Sequence, residues 1–133
     1  MDYMKIALKE ARKAFEKDEV PVGAVIVKDG EIISKAYNQK ESKKLATAHA
    51  EIIAIEKASK KLKTWHLDDC EMYVTLEPCE MCRSAIEQAR ISRVIIGAED
   101  TKNKMANPDI SIKYELDDNC SNILKEFFKS KRG

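Results

Sequence analysis

The stretch Thr75-Leu76-Glu77-Pro78-Cys79-Glu80-Met81-Cys82 places two thiols three residues apart, directly after a proline. Upstream, His49-Ala50-Glu51 supplies an imidazole and a carboxylate. Zinc takes nitrogen and sulfur ligands in tetrahedral geometry, and a catalytic zinc site keeps one position open for water. His49, Cys79 and Cys82 therefore form a candidate ligand set for one Zn²⁺ per chain, with the fourth position free; the alternative is a site closed by a fourth ligand from a distant part of the chain.

Glu51 follows His49 by two residues, so its carboxylate can lie beside a metal without binding it. A carboxylate in that place can take a proton from metal-activated water and return it to a leaving group. The pair H-x-E and P-C-x-x-C matches the signature of zinc-dependent nucleobase deaminases. Glu51 is therefore the candidate general acid and base.

Each half of this pair has a simpler interpretation. A lone C-x-x-C is often a redox pair or half of a structural zinc knuckle. A glutamate after His49 also fits the ordinary preference for acidic residues in a first helical turn. A non-catalytic, zinc-stabilised RNA-binding module is thus an alternative from another class. The order of the motifs and Pro78 favour catalysis, because a structural site has no use for Glu51.

The composition sets limits on the kind of protein. A chain of 133 residues with 44% hydrophobic residues is expected to form one domain, 1–133, around a single core. The net charge of +1 excludes a strongly basic nucleic-acid binder, so any such surface must be local. Four cysteines suit a reducing compartment. Without a signal peptide or a membrane span in the sequence, a cytoplasmic protein is expected.

The hydrophobic pattern predicts nine main elements in the order α-β-β-α-β-α-β-β-α. They are helix 2–17, strand 20–27, a turn at Asp29-Gly30, strand 31–38, a polar loop 40–47, helix 48–62 capped by Thr47, strand 70–76, helix 78–90, strand 93–97, a loop 101–108, strand 110–116, and helix 118–131 capped by Asp117 or Asp118. This order predicts a three-layer α/β/α sandwich around a mixed five-stranded sheet. The helices at His49 and Cys79 are expected to meet at one end of it. Gly23 inside a strand predicts close approach by a helix or a ligand.

Taken together, the chain resembles the cytidine deaminase superfold and, most closely, the bacterial tRNA-specific adenosine deaminases. The resemblance covers nearly the whole length. The segments that carry it are Glu19-Val20-Pro21-Val22-Gly23-Ala24, Asn38, Thr47-Ala48-His49-Ala50-Glu51, Tyr73-Val74-Thr75-Leu76-Glu77-Pro78-Cys79 with Cys82, and Phe127-Phe128-Lys129.

This resemblance implies hydrolytic deamination of adenosine to inosine at the wobble position of a tRNA anticodon, in a homodimer. It assigns zinc to His49, Cys79 and Cys82 and proton transfer to Glu51. The residues that it places on the substrate are Asn38, the backbone of Ala50, Val22 and Leu76 in the base pocket, and Phe127 and Phe128 on the anticodon loop. Adjacent rings cannot face the same way on a helix, so one of these two phenylalanines is expected in the core.

One departure from the family pattern keeps a second substrate class open. The segment between Lys102 and Ile110 is short and lacks the run of small residues that the family has there. Because that region contacts RNA in the family, the alternative is a deaminase of a free base or nucleoside, such as cytosine or guanine.

Overall fold

The structure, a computed structural model, describes residues 1–102 and 109–132. Its elements are α1 (Tyr3–Glu16), β1 (Gly23–Lys28), β2 (Glu31–Tyr37), α2 (Lys40–Lys43), α3 (Ala50–Leu62), β3 (Cys70–Val74), α4 (Glu80–Gln88), β4 (Arg93–Ile96), β5 (Ser111–Tyr114) and α5 (Asp118–Arg132). Among the described residues, no helix has both the length and the apolar character that crossing a membrane requires.

The five strands form one sheet in the order β2-β1-β3-β4-β5. Strand β1 is antiparallel to both β2 and β3, whereas β3, β4 and β5 run parallel to one another. Asp29 and Gly30, which join β1 to β2, have φ of 50° and 76°. Two consecutive left-handed residues are what a tight hairpin turn needs. The predicted mixed five-stranded sheet and its turn are confirmed.

Alternation along β1 divides the core between the two faces of the sheet. Ala24 and Ile26 belong to a buried cluster with residues of α3 and α4. Val25 and Val27 belong to a second cluster with Met4 of α1 and Cys120 of α5. Helices therefore cover both faces, which confirms the three-layer sandwich.

Helix α1 approaches the sheet most closely at Gly23. A Cβ atom at this position would lie 2.0 Å from the carbonyl oxygen of Ala7 and 2.7 Å from the amide nitrogen of Ala11. The sequence predicted that either a helix or a ligand approaches Gly23 closely, and in the structure it is the helix α1. The strand also begins here and not at Val20, because Pro21 has no N–H to donate to a ladder and Val22 bonds back to Val20.

The predicted start of the helix at residues 48–62 is wrong by two residues. Helix α3 begins at Ala50, with His49 at the N-cap position and Thr47 outside it. The amide of Ala50 donates to Oδ1 of Asn38 at 2.8 Å, so a side chain 12 residues upstream does the capping. The predicted polar loop 40–47 contains the short helix α2. Most of the predicted loop 101–108, and of the short 102–110 segment, lies outside the described residues.

Replacing Gly23 with alanine should destabilise the protein by about 3 kcal/mol, because the new methyl group must push α1 away from the sheet. Gly30→Asn is the control, since its φ of 76° lies in the region that asparagine tolerates and a Cβ there would meet the hydroxyl of Tyr3 at 3.9 Å, an ordinary contact. Urea unfolding measures both. An unfolding midpoint for Gly23→Ala equal to that of the wild type would contradict this packing.

Candidate active site

Two helix N-termini bring the predicted ligands together. His49 is the N-cap residue of α3, and Cys79 is the N-cap residue of α4. Both have extended backbone, with ψ of 150° and 173°. Cys82 follows in the first turn of α4 and is fully buried. The sequence therefore predicted correctly that both thiols lie at a helix N-terminus, where the helix dipole favours thiolate.

The donor atoms have the spacing of a tetrahedral metal site. Nδ1 of His49 lies 3.7 Å from Sγ of Cys79 and 3.6 Å from Sγ of Cys82. Zinc–sulfur bonds of about 2.3 Å and a zinc–nitrogen bond of about 2.0 Å at tetrahedral angles place nitrogen and sulfur about 3.5 Å apart. All three atoms lie within 4.8 Å of one another. One imidazole nitrogen and two sulfurs thus fit Zn²⁺ in both chemistry and distance.

Burial controls the protonation of the ligands. Burial, followed by the charge of Lys40, lowers the pKa of His49, which favours the neutral imidazole that a metal needs. Burial raises the pKa of the Cys82 thiol, with a further contribution from Glu51. A bound dication acts in the opposite direction and deprotonates a coordinating thiol.

Glu51 lies in the first turn of α3, where its residue is only 4% exposed. Burial raises the pKa of its carboxyl group to about 7. A general acid and base works best when its pKa lies near the working pH, and a neighbouring cation would lower this one. Glu51 faces the same cleft as His49 and Cys79.

Asn38 connects the second strand to the metal cluster. The backbone N–H of Asn38 donates to the carbonyl of Val22 at 3.1 Å, and its side-chain Oδ1 accepts a hydrogen bond from the backbone N–H of Ala50. Asn38 is 9% exposed and lines the cleft. The amide of Ala50, predicted to hold a substrate base, is therefore engaged with Asn38 in this structure.

The cleft in front of the cluster has a volume of about 760 Å³. That size falls in the usual range for small-molecule sites. Of the residues predicted on the substrate, Val22, Asn38, Leu76 and Phe127 line it. Phe127 is 6% exposed and its ring packs edge-on against Phe15, with centroids 6.1 Å apart. Phe128 is 46% exposed, so the expectation that one ring lies in the core is confirmed.

Two buried carboxylates near the site had no role assigned from the sequence. Glu77 accepts the amide of Asp100 at 2.9 Å and the hydroxyl of Tyr114 at 2.5 Å. Burial and this hydrogen bond raise the pKa of Tyr114 to about 12. Glu19 accepts two amides of α2. Their partners are distant in sequence, so no local pattern could identify them.

Three features occur together here: an α/β/α sandwich, a cluster at two helix N-termini that can hold a metal, and a buried carboxylate beside that cluster. This combination defines the class of metal-dependent hydrolytic deaminases.

Comparisons with known proteins place the chain within that class. The family model of MafB19-like deaminases matches residues 1–132. The tRNA-specific adenosine deaminase of Aquifex aeolicus is 49% identical, and the match covers 98% of this chain and 94% of that protein. The chain belongs to the MafB19-like deaminases and to the family of the tRNA-specific adenosine deaminases.

Solved structures agree with this placement. A structure from work on A-to-I editing by tRNA:A34 deaminases at the wobble position of transfer RNA is 39% identical, with a TM-score of 0.87 over 92% of this chain and 98% of that one. The guanine deaminase of Bacillus subtilis is 33% identical, with a TM-score of 0.71 over 98% of this chain and 92% of that one.

Cys82→Ala should reduce bound zinc well below that of the wild type and lower the free energy of unfolding by roughly 2–4 kcal/mol, because metal binding stabilises the folded state. Cys70→Ala is the matched control, since Cys70 is equally buried but lies in β3, outside the cluster. Metal analysis after dialysis measures the first effect and urea unfolding the second. Unchanged zinc in Cys82→Ala would remove this residue from the ligand set.

Proposed function

We propose that this protein hydrolyses adenosine to inosine at the wobble position of a tRNA anticodon, using one zinc ion per chain. The observation that carries the proposal is the cluster of His49, Cys79 and Cys82 with buried Glu51 beside it, in one cleft. The high identity to a tRNA-specific adenosine deaminase over the full chain supports the choice of substrate.

In this proposal Nδ1 of His49 and the sulfurs of Cys79 and Cys82 hold the metal. A zinc ion held by these three ligands would supply a Lewis acid, which makes water a nucleophile near neutral pH. The N-terminus of α4 favours the thiolate forms of Cys79 and Cys82, and burial favours neutral His49. Burial of Cys82 opposes its thiolate form, which a bound dication would favour.

Glu51 moves the protons. Hydrolysis converts the carbon that bears the amino group of adenine to a carbonyl, leaves a proton on the neighbouring ring nitrogen and releases ammonia. The attacking water therefore gives up two protons, one to the ring nitrogen and one to the leaving amino group, and Glu51 is the group that carries them. Its burial excludes bulk water from this transfer.

The cleft accepts an unpaired base. Val22 and Leu76 provide apolar walls, and the amide nitrogen of Asn38 is a donor for the nucleotide. An enzyme that works on a base must take it out of the stack, and an anticodon loop presents its bases already unpaired. The exposed ring of Phe128 provides a stacking surface, and Phe127 closes one side of the cleft.

We further propose a cytoplasmic homodimer. All four cysteines are free, which suits a reducing compartment. The dimer is the assembly that the family resemblance implies.

A deaminase of free guanine or a related base is the second candidate. The similarity to a guanine deaminase favours it, and so does the short segment between Lys102 and Ile110. The two candidates share the metal ligands and Glu51 and differ only in what fills the cleft.

A substrate screen separates them. The purified enzyme, loaded with zinc, should produce inosine in arginine-type anticodon stem-loops and release no ammonia from free guanine, cytosine or adenosine. Sequencing detects the inosine, and an ammonia assay follows the free compounds. Ammonia from a free base without inosine in any stem-loop would favour the second candidate.

Glu51→Gln should lower kcat by about 10²–10⁴ while zinc content and fold are retained, because the amide cannot carry the proton. Glu56→Gln, at an exposed position of the same helix, should leave turnover unchanged. Inosine formation on the stem-loop is the measurement. Full inosine formation by Glu51→Gln would remove Glu51 from the proton transfer.

A further inference from the structure

Glu19 is a buried carboxylate in the connection between α1 and β1. It is only 1% exposed. Its Oε1 accepts the amide N–H of Glu41 at 2.9 Å, and its Oε2 accepts the amide N–H of Ser42 at 2.7 Å. The carboxylate thus reaches across 22 residues of sequence to hold the first turn of α2. Hydrogen bonds to an ionised acceptor are about twice as strong as neutral ones.

Helix α2 depends on outside support. It has four residues, and a helix this short does not hold by itself in water. None of these four residues, all of which the structure describes, is buried. Gln39 occupies the N-cap position but makes no side-chain cap there. Two of the first-turn amides, those of Glu41 and Ser42, are satisfied by Glu19, from another part of the chain.

The segment that Glu19 holds lies between two residues of the site. Residues 39–48, called here the α2 loop, begin directly after Asn38 and end directly before His49. The loop closes on itself through a hydrogen bond from the amide of Gln39 to the carbonyl of Ala48, 2.9 Å long. Since this bond joins the two ends of the loop, beside Asn38 and His49, a shift of α2 displaces the middle of the loop and leaves these two residues in place.

The α2 loop is also one wall of the cleft. Lys40, Glu41 and Ser42 line the cleft together with Glu19. Lys40 lines the cleft, and Lys43 and Lys44 are exposed farther along the same loop, so even with the exposed carboxylate of Glu41 the α2 loop carries a net positive charge. A phosphate backbone that carries its base into the cleft would meet these lysines.

We propose that Glu19 is a positioning residue, whose carboxylate clamps the α2 loop in the place where it forms the wall that receives the nucleic-acid strand. Loss of the clamp weakens binding of a polynucleotide more than it slows the reaction of bound substrate, since the metal ligands and Glu51 lie on α3 and α4. The nature of the bound strand rests on the proposed function, whereas the clamp itself does not.

Glu19→Gln tests the clamp, because the amide keeps one acceptor but turns an NH₂ group toward the second backbone N–H. For the anticodon stem-loop, KM should rise about tenfold and kcat should fall less than about threefold. Zinc content should be unchanged. Glu19→Asp, which keeps the charge on a shorter arm, should restore part of the affinity.

Glu10→Gln is the matched control. Glu10 is also a buried carboxylate, 4% exposed, but it pairs with Lys13 on α1, away from the cleft. Glu10→Gln should leave KM unchanged even where it lowers stability. A KM for Glu19→Gln equal to that of the wild type, or a fall in kcat alone, would overturn the proposal.

Amide hydrogen exchange provides a readout that needs no substrate. The amides of Glu41 and Ser42 should exchange at least about tenfold faster in Glu19→Gln and Glu19→Ala, with the amides of α3 unaffected. Unchanged exchange at these two amides would overturn the clamp. If the wild type forms no inosine in any stem-loop, the proposed substrate fails, while this exchange comparison still decides the role of Glu19.

Discussion

Three donor atoms from two helices must lie within coordination distance of one point, and much of the chain is arranged to meet that constraint. His49 and Cys79 reach it because each is the residue at which its helix begins. An N-cap residue is already fixed by the helix that follows, yet its backbone is extended and its side chain is free to face a metal. The third ligand, Cys82, then follows from the first turn of α4.

A residue adjoining the site holds each of the two helix starts in place, in one case by bonding an amide of the helix and in the other by bonding to neighbouring elements. Asn38 satisfies the first amide of α3 and thereby sets where His49 lies. Glu77 lies in the turn just before Cys79 and α4. Its carboxylate accepts hydrogen bonds from Tyr114 of β5 and from Asp100 in the segment after β4, so it connects this turn to both. These bonds cross between elements, so the site is coupled to the fold as a whole and not to one helix.

The cluster of His49, Cys79 and Cys82 and the layer architecture could be predicted because their signals are local. The spacing of Cys79 and Cys82 and the apolar alternation in β1 can both be read from a few neighbouring residues. The start of α3 could not, since Thr47 is a good capping residue by type and only the fold brings Asn38 to Ala50. For the same reason the α2 helix appeared in the sequence as a polar loop: its support, Glu19, comes from a different segment.

The division of the site between rigid and adjustable parts explains how one fold can serve different bases. The ligands and Glu51 stand on helix starts that pack on the sheet, where a small shift would move a donor atom out of range. The walls of the cleft come instead from connections, such as residues 17–22 and the α2 loop. Connections tolerate substitution far better than packed helices do. Substitutions in these connections, for example in the α2 loop that Glu19 holds, can therefore change which substrate enters the cleft. The reaction at the bottom of the cleft remains the same.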